Sequence, residues 1–251
     1  MIHNKDLIVL EKKGFVKTKI EKKYIKQLEI FRNRLKIYSK KILKNKKFNL
    51  EDFHKYQIND IKLNNFSHSL IEYIKSYKNL NNIVYASLKN IIDECVGPDV
   101  LVQKTSNLVI QKPNDINRSP FHKDAPVASN YEIVIWLPLV NCRKTMSMYI
   151  FDIKHHDKTK RFLKNVKSER KIINFCKKYG RLYNYKFGEA LIFWTNNYHY
   201  IPVNGENNTR WSLNLRFKNL FTPYGTKNLL DYYKILRVSP LTQLLNKIDE
   251  I

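Results

Sequence analysis

Two stretches of this chain carry side chains able to bind one metal ion together. The first is Ser119-Pro120-Phe121-His122-Lys123-Asp124, which offers an imidazole and a carboxylate two positions apart. Residues two apart in extended chain share a face, so His122 and Asp124 can aim at one point. The second runs from Gly188 to Arg216, GEALIFWTNNYHYIPVNGENNTRWSLNLR, and sets His199 behind an apolar run. Two imidazoles and one carboxylate on one side of a metal make the facial triad that suits Fe(II) and leaves coordination positions open. Beyond it lies Thr209-Arg210-Trp211-Ser212-Leu213-Asn214-Leu215-Arg216. In a strand, Arg210, Ser212, Asn214 and Arg216 share one face, and Trp211, Leu213 and Leu215 the other. Polar groups in a row within a β-prone run need a reason to face inward. A dicarboxylate beside the metal supplies one, because a guanidinium grips a carboxylate with two parallel hydrogen bonds and Ser212 can donate a third.

On these residues the chain resembles the Fe(II)/2-oxoglutarate-dependent dioxygenases. It is most similar to the phytanoyl-CoA dioxygenase-like group, and within it to the oxygenases of bacterial carbohydrate-biosynthesis clusters. The resemblance rests on His122-x-Asp124, the lead-in Gly188-Glu189-Ala190-Leu191-Ile192-Phe193, His199, and Arg210-x-Ser212, and spans roughly residues 99–220. It implies a mainly β fold with α additions: a double-stranded β-helix (jelly-roll, cupin-like) barrel buttressed by N-terminal and C-terminal helices. Residues 1–251 would form a single oxygenase domain, with a mainly helical buttress over 1–96, the barrel over 97–220 and a helical tail over 221–251. It further implies Fe(II) on His122, Asp124 and His199, 2-oxoglutarate on Arg210 and Ser212, and Gln111 and Arg216 as further contacts to co-substrate or substrate. The implied reaction oxidises, usually hydroxylates, a C–H bond of a small anionic metabolite such as a sugar or nucleotide sugar, releasing succinate and CO2. One segment departs from the group. Where its members usually have Asn-Gly followed by a Gly-Ser-His turn, this chain has Asn141-Cys142 and Met146-Ser147-Met148, which suits the carbohydrate-cluster branch better.

The formal net charge is +24. One reading is a nucleic-acid or anionic-surface binder. Another places the lysines on solvated helix faces, since the basic residues are spread along the chain and are mostly Lys. A third is a positive cleft that draws in a phosphorylated or nucleotide-linked sugar. The Arg210-x-Ser212-x-x-x-Arg216 spacing also echoes the closing strand of nucleic-acid oxidative demethylases, so that activity is one alternative. No base-flipping loop or compact basic stripe accompanies it. A non-enzymatic jelly-roll binding protein is another. The three cysteines, Cys95, Cys142 and Cys176, are scattered, which fits a reducing cytoplasm. No secretory signal or membrane-length apolar run is expected. The partner expected is a small anionic molecule, with nucleic acid as the less favoured alternative, and the chain is expected to be a monomer or homodimer.

The elements that must position these groups follow from periodicity. Residues 6–10 (DLIVL) read as an edge strand, and 18–46 as an amphipathic helix with Ile20, Tyr24, Leu28, Phe31, Leu35, Tyr38 and Ile42 on one stripe. A short helix is expected at 49–57, and one or two more over 65–95, broken near Asn79–Asn82. After Gly97-Pro98-Asp99, β character takes over: pieces within 100–112, then 131–140 (YEIVIWLPLV), 190–194 and 210–218. His155-His156-Asp157 reads as a polar loop, 158–178 as a partly helical basic insertion over the site, and Asn204-Gly205 as a hairpin turn. The tail is expected to be helical over 229–236 and again over 241–248, divided by Pro240, and packed on the barrel.

Overall fold

The computed structural model describes residues 2–56, 58–125, 128–229 and 231–248. The helical first part comprises α1 (Ile2–Lys13), α2 (Lys22–Ile42), α3 (Asp60–Ser76), α4 (Leu80–Ser87) and α5 (Lys89–Val96), with the strand β1 (Phe15–Lys19) inserted after α1. Strands β2 (Val100–Gln103), β3 (Asn107–Gln111), β4 (Glu132–Pro138) and β5 (Tyr149–Phe151) follow. Helices α6 (His156–Asn165) and α7 (Glu169–Tyr179) interrupt them. The chain then returns through β6 (Gly180–Leu182), β7 (Glu189–Trp194), β8 (His199–Tyr200), β9 (Arg210–Asn219) and β10 (Tyr233–Arg237) to α8 (Pro240–Ile248). Among the described residues a seven-stranded antiparallel sheet runs in the order β1-β7-β4-β9-β2-β10, with β3 also on β9, and a three-stranded sheet in the order β6-β5-β8. Helices hold more of the chain than strands, so the architecture is mixed rather than mainly β.

The helical layer covers the outer face of the large sheet. Leu28, Phe31 and Leu35 of α2 are buried on the expected stripe, and the α3–α4 break falls just ahead of the Asn79–Asn82 patch. Trp211, Leu213 and Leu215 of β9 point into this layer and are fully buried. The Trp211 ring meets Phe48, Phe53 and Phe66 edge-on, and its Nε1 donates to the Leu50 carbonyl at 2.7 Å. Because side chains alternate along a strand, burying this face commits Arg210, Ser212, Asn214 and Arg216 to the opposite one.

Several expectations are corrected. Residues 6–10 belong to α1, not to an edge strand. Lys12 and Lys13 in the last turn and Gly14 at φ +79 form a helix C-terminus, and the edge strand is the Phe15–Lys19 segment that follows. The 229–236 stretch is not helical; Tyr233–Arg237 pairs with β2, whose Val100, Leu101 and Val102 are fully buried and would otherwise leave an open sheet edge. His155-His156-Asp157 is not a loop: it spans the end of a short 3-10 turn and the start of α6, where Asp157 suits the helix dipole. The chain bends at 206–208, just after Asn204-Gly205, but no hairpin forms, because β8 pairs with β5 in the small sheet and β9 with β4 in the large one. The 49–57 stretch holds only the 3-10 turn Phe53–Lys55. Gln57 and Leu230, at which two of these expectations fall, lie outside the described residues. The apolar face of α8 is not packed on the sheets: Leu241, Leu244 and Leu245 are exposed.

Trp211→Ala empties a fully buried site and removes a buried hydrogen bond, so unfolding should become easier by about 3–5 kcal/mol. Urea denaturation measures this; a loss below about 1 kcal/mol would show that the aromatic cluster does not secure β9.

Candidate metal centre

The loop before β4 and the short strand β8 meet through a pair of reciprocal backbone hydrogen bonds. His122 N–H donates to the His199 carbonyl at 3.1 Å, and His199 N–H donates to the His122 carbonyl at 2.8 Å. The two imidazoles therefore project side by side, with ring centroids 4.3 Å apart. Asp124, two residues on, is fixed by its own N–H to the Thr195 carbonyl at 3.0 Å. One nitrogen of each imidazole and a carboxylate oxygen of Asp124 all lie within 4.8 Å of one another. His122 Nε2 stands 3.5 Å from Asp124 Oδ1, too long for a hydrogen bond and suited to two ligands of a shared ion.

Each imidazole is oriented from behind. His122 Nδ1 lies 2.7 Å from the Pro120 carbonyl and His199 Nδ1 3.1 Å from the Asn197 carbonyl. A carbonyl can only accept, so both Nδ1 atoms carry the proton and both Nε2 lone pairs are free for a metal. His199 is buried, and that burial pushes its pKa down to about 4, which keeps the ring neutral. Burial acts the same way on His122, but the neighbouring Asp124 and the Pro120 carbonyl outweigh it and raise its pKa. Burial would raise Asp124; the imidazoles and Arg216 overcome this and hold the carboxyl well below the usual carboxylate range.

Arg216 donates through Nη2 to Asp124 Oδ2 at 2.7 Å, and through Nη1 to the Tyr232 hydroxyl at 2.7 Å. This leaves Oδ1 turned toward the imidazoles. Arg216 was expected to face co-substrate or substrate; it does line the cavity, and it also clamps a triad member. The pairing joins residues 92 positions apart and leaves no mark in local spacing.

The triad opens into a cavity of about 290 Å3. Its wall from the large sheet includes Val134, Phe193, Arg210, Asn214 and Arg216, and its wall from β3 includes Gln111. Arg210 is 1% exposed, and its Nε and Nη1 have no hydrogen-bond partner. Desolvation pulls its pKa down to about 10, still leaving it charged. Ser212 Oγ, on the same face of β9, and Gln111 Oε1, from the residue registered opposite Arg210, are likewise buried and unpartnered. Gln111 Nε2 is taken by the Pro202 carbonyl at 2.9 Å. Arg210 and Ser212 are thus buried donors left without an acceptor, and an unpaired buried cation costs several kcal/mol. His155 and His156, the other adjacent histidines, point to different rings, Tyr179 and Tyr198, and do not converge. Trp136 is buried on the inner face of β4 against Tyr185.

No protein-family model matches the chain, and no curated protein matches it either. Solved structures do share its fold. They include the non-heme monooxygenase ThoJ in complex with nickel, at TM-score 0.60 and 13% identity over 93% of this chain and 84% of that one. The non-heme alpha-ketoglutarate-dependent carbocyclase SnoK from nogalamycin biosynthesis aligns at TM-score 0.51 and 9% identity over 88% and 86%. HygX from Streptomyces hygroscopicus, with nickel and 2-oxoglutarate bound, aligns at TM-score 0.51 and 8% identity over 90% of each chain. At these identities the likeness is one of fold.

Arg216→Met removes the clamp on Asp124 without touching a triad atom. Affinity for Co(II) should fall about 10- to 100-fold, as is usual when a ligand loses its orienting partner. Competition with a chelator reads this directly, and an unchanged affinity would show that Asp124 is held without Arg216.

Proposed function

We propose that the protein is an Fe(II)- and 2-oxoglutarate-dependent dioxygenase. The observation that carries this reading is the pairing of a two-histidine, one-carboxylate cluster with the buried, unpartnered Arg210 in one cavity. Fe(II) would be held by His122, Asp124 and His199, and the far carboxylate of 2-oxoglutarate by Arg210 and Ser212. The donor set fits the metal, since two imidazoles and one carboxylate occupy one side and leave the other open. The orphaned polar atoms fit the co-substrate, since a carboxylate would satisfy Arg210 and Ser212 together. Fe(II) with 2-oxoglutarate and oxygen supplies the power to oxidise an unactivated C–H bond, with succinate and CO2 as by-products.

The chain's own contribution is positional. The Pro120 and Asn197 carbonyls hold the two imidazole protons on Nδ1. The imidazoles and Arg216 keep Asp124 ionised, and Arg216 leaves its free oxygen aimed at the imidazoles. Phe193 and Val134 line the cavity with apolar surface, which excludes water from the reacting carbon.

At a finer level, the two antiparallel sheets read as a double-stranded β-helix. The motif set favours the phytanoyl-CoA dioxygenase-like group and a small anionic metabolite such as a sugar or nucleotide sugar, as in carbohydrate biosynthesis. The fold is shared by a non-heme monooxygenase and a carbocyclase, so hydroxylation is one outcome among several such a centre can deliver. Among the described residues no helix is long and apolar enough to cross a membrane.

Incubation with Fe(II), 2-oxoglutarate and oxygen should release succinate, and Asp124→Ala should abolish that release while the protein stays folded. Arg210→Ala should raise the 2-oxoglutarate KM about thirtyfold or more, the equivalent of at least 2 kcal/mol for a lost buried charge contact. Full activity in Asp124→Ala would remove the metal assignment. An unchanged KM in Arg210→Ala would remove the co-substrate one.

A further inference from the structure

The same cavity holds a third guanidinium to which the reading above gives no task. Arg118 lies on the loop that delivers His122 and lines the cavity rim between the exposed Asn117 and Ser119. Its side chain is 13% exposed, and its guanidinium sits 5.0 Å from the centroid of the Tyr200 ring. Nη2 donates to Glu169 Oε1, at the first residue of α7, and the Tyr200 hydroxyl donates to the same oxygen. Nε is buried without a partner. Glu169 itself is 51% exposed. The cation is thus fixed and largely desolvated, while its counter-charge sits in water, where an ion pair is weak and easily exchanged.

The charges in the cavity make this residue stand out. Three arginines, Arg118, Arg210 and Arg216, line it against one carboxylate, Asp124. Arg216 is committed to Asp124. On the reading given above, Arg210 is committed to the far carboxylate of 2-oxoglutarate. Arg118 is then the cation left facing the remaining space. A separate groove of about 610 Å3 between β3 and α3 is also lined by Val109, Ile110 and Asn117.

We infer that Arg118 determines substrate choice by gripping an anionic group, a phosphate or a carboxylate, of a small-molecule substrate, and that this group takes the place of Glu169. The inference rests on the dioxygenase reading of the cavity. A guanidinium edge matches the geometry of both anions. The location suits the task. Arg118 precedes by two residues the Pro120 whose carbonyl orients His122, and it stacks on Tyr200, the neighbour of His199. An anion held there is fixed by the same two segments that hold the triad, which orients the rest of the molecule toward the metal.

The test uses the full chain loaded with nickel(II) and 2-oxoglutarate, an unreactive form. Binding of inorganic phosphate, acetate, glucose 6-phosphate, glucuronate and neutral glucose is measured by calorimetry, with nickel and 2-oxoglutarate affinities taken on the same samples. At least one anionic sugar should bind tenfold or more tightly than glucose, and comparison of phosphate with acetate and of the two sugars says which anion is preferred. Arg118→Gln should erase that advantage and Arg118→Lys should restore part of it. Glu169→Gln should tighten anion binding about threefold or more by removing the competitor, a change that mere loosening of the loop cannot produce. All three variants should bind nickel and 2-oxoglutarate within twofold of the parent. The inference falls if no anion outbinds glucose, if Arg118→Gln leaves the preference intact, or if Glu169→Gln weakens it. Failure of the parent to bind nickel or 2-oxoglutarate would instead refute the dioxygenase reading on which the inference stands.

Discussion

Everything at the centre depends on two backbone hydrogen bonds between His122 and His199. They fasten the loop ahead of β4 to the small sheet and set both imidazoles on one side at one height. Neither residue belongs to the large sheet, yet Arg210 and Arg216 of the cavity come from it. The cavity therefore exists only because two sheets face each other with an irregular loop stitched to one of them. Backbone pairing is well suited to that task, since it fixes position without consuming the side chains. A loop tied down only by its side chains would have to choose between anchoring and coordinating.

The charges inside follow a second constraint. A buried arginine is tolerated when it is paired, and Arg216 meets the rule through Asp124 and Tyr232. Arg210 breaks it, six residues away on the same strand face. Both are buried and both have an unpartnered Nε, but Arg216 meets a carboxylate and Arg210 meets none among the described residues. Packing alone has no use for that difference, because an apolar residue would fill the Arg210 site at lower cost. The imbalance is intelligible if the missing partner arrives from outside. Alternation along β9 makes both placements unavoidable once Trp211 and its neighbours are buried on the other face.

The same alternation explains what could be read in the sequence. The face of Arg210, Ser212, Asn214 and Arg216 and the His122-x-Asp124 pair were legible because each depends on short-range periodicity within a strand or loop, whereas the distal His199 was legible through the family resemblance. Periodicity also located α2 and β4. It failed where a tertiary partner decides the outcome. Residues 233–237 carry helix-like spacing but are drawn into a strand by the open edge of β2. Asn204-Gly205 has hairpin chemistry, yet its flanking strands belong to different sheets. The 6–10 segment was misread for a local reason: the Lys12-Lys13-Gly14 terminus was present and outweighs a five-residue apolar run. The Arg216–Asp124 and Arg118–Glu169 pairs were not legible at all, since nothing in the spacing of distant charges says which of many cations meets which carboxylate.

The large positive charge separates along the same lines. Lysines dominate it, and those of the helices sit where the fold meets water: Lys22, Lys23 and Lys26 on α2, Lys158, Lys160 and Lys164 on α6, Lys171, Lys177 and Lys178 on α7 are all exposed, though Lys218 of β9 is buried. The cations that line the cavity are instead arginines. This division follows the chemistry of the two side chains. An ammonium is strongly hydrated and cheap only in solvent, whereas a guanidinium stays charged when desolvated and presents a planar fork. Net charge therefore describes the solvated helix faces and says little about the site. What the site selects is set by a few buried forks, and by whether the carboxylate each one meets belongs to the chain or comes from solution.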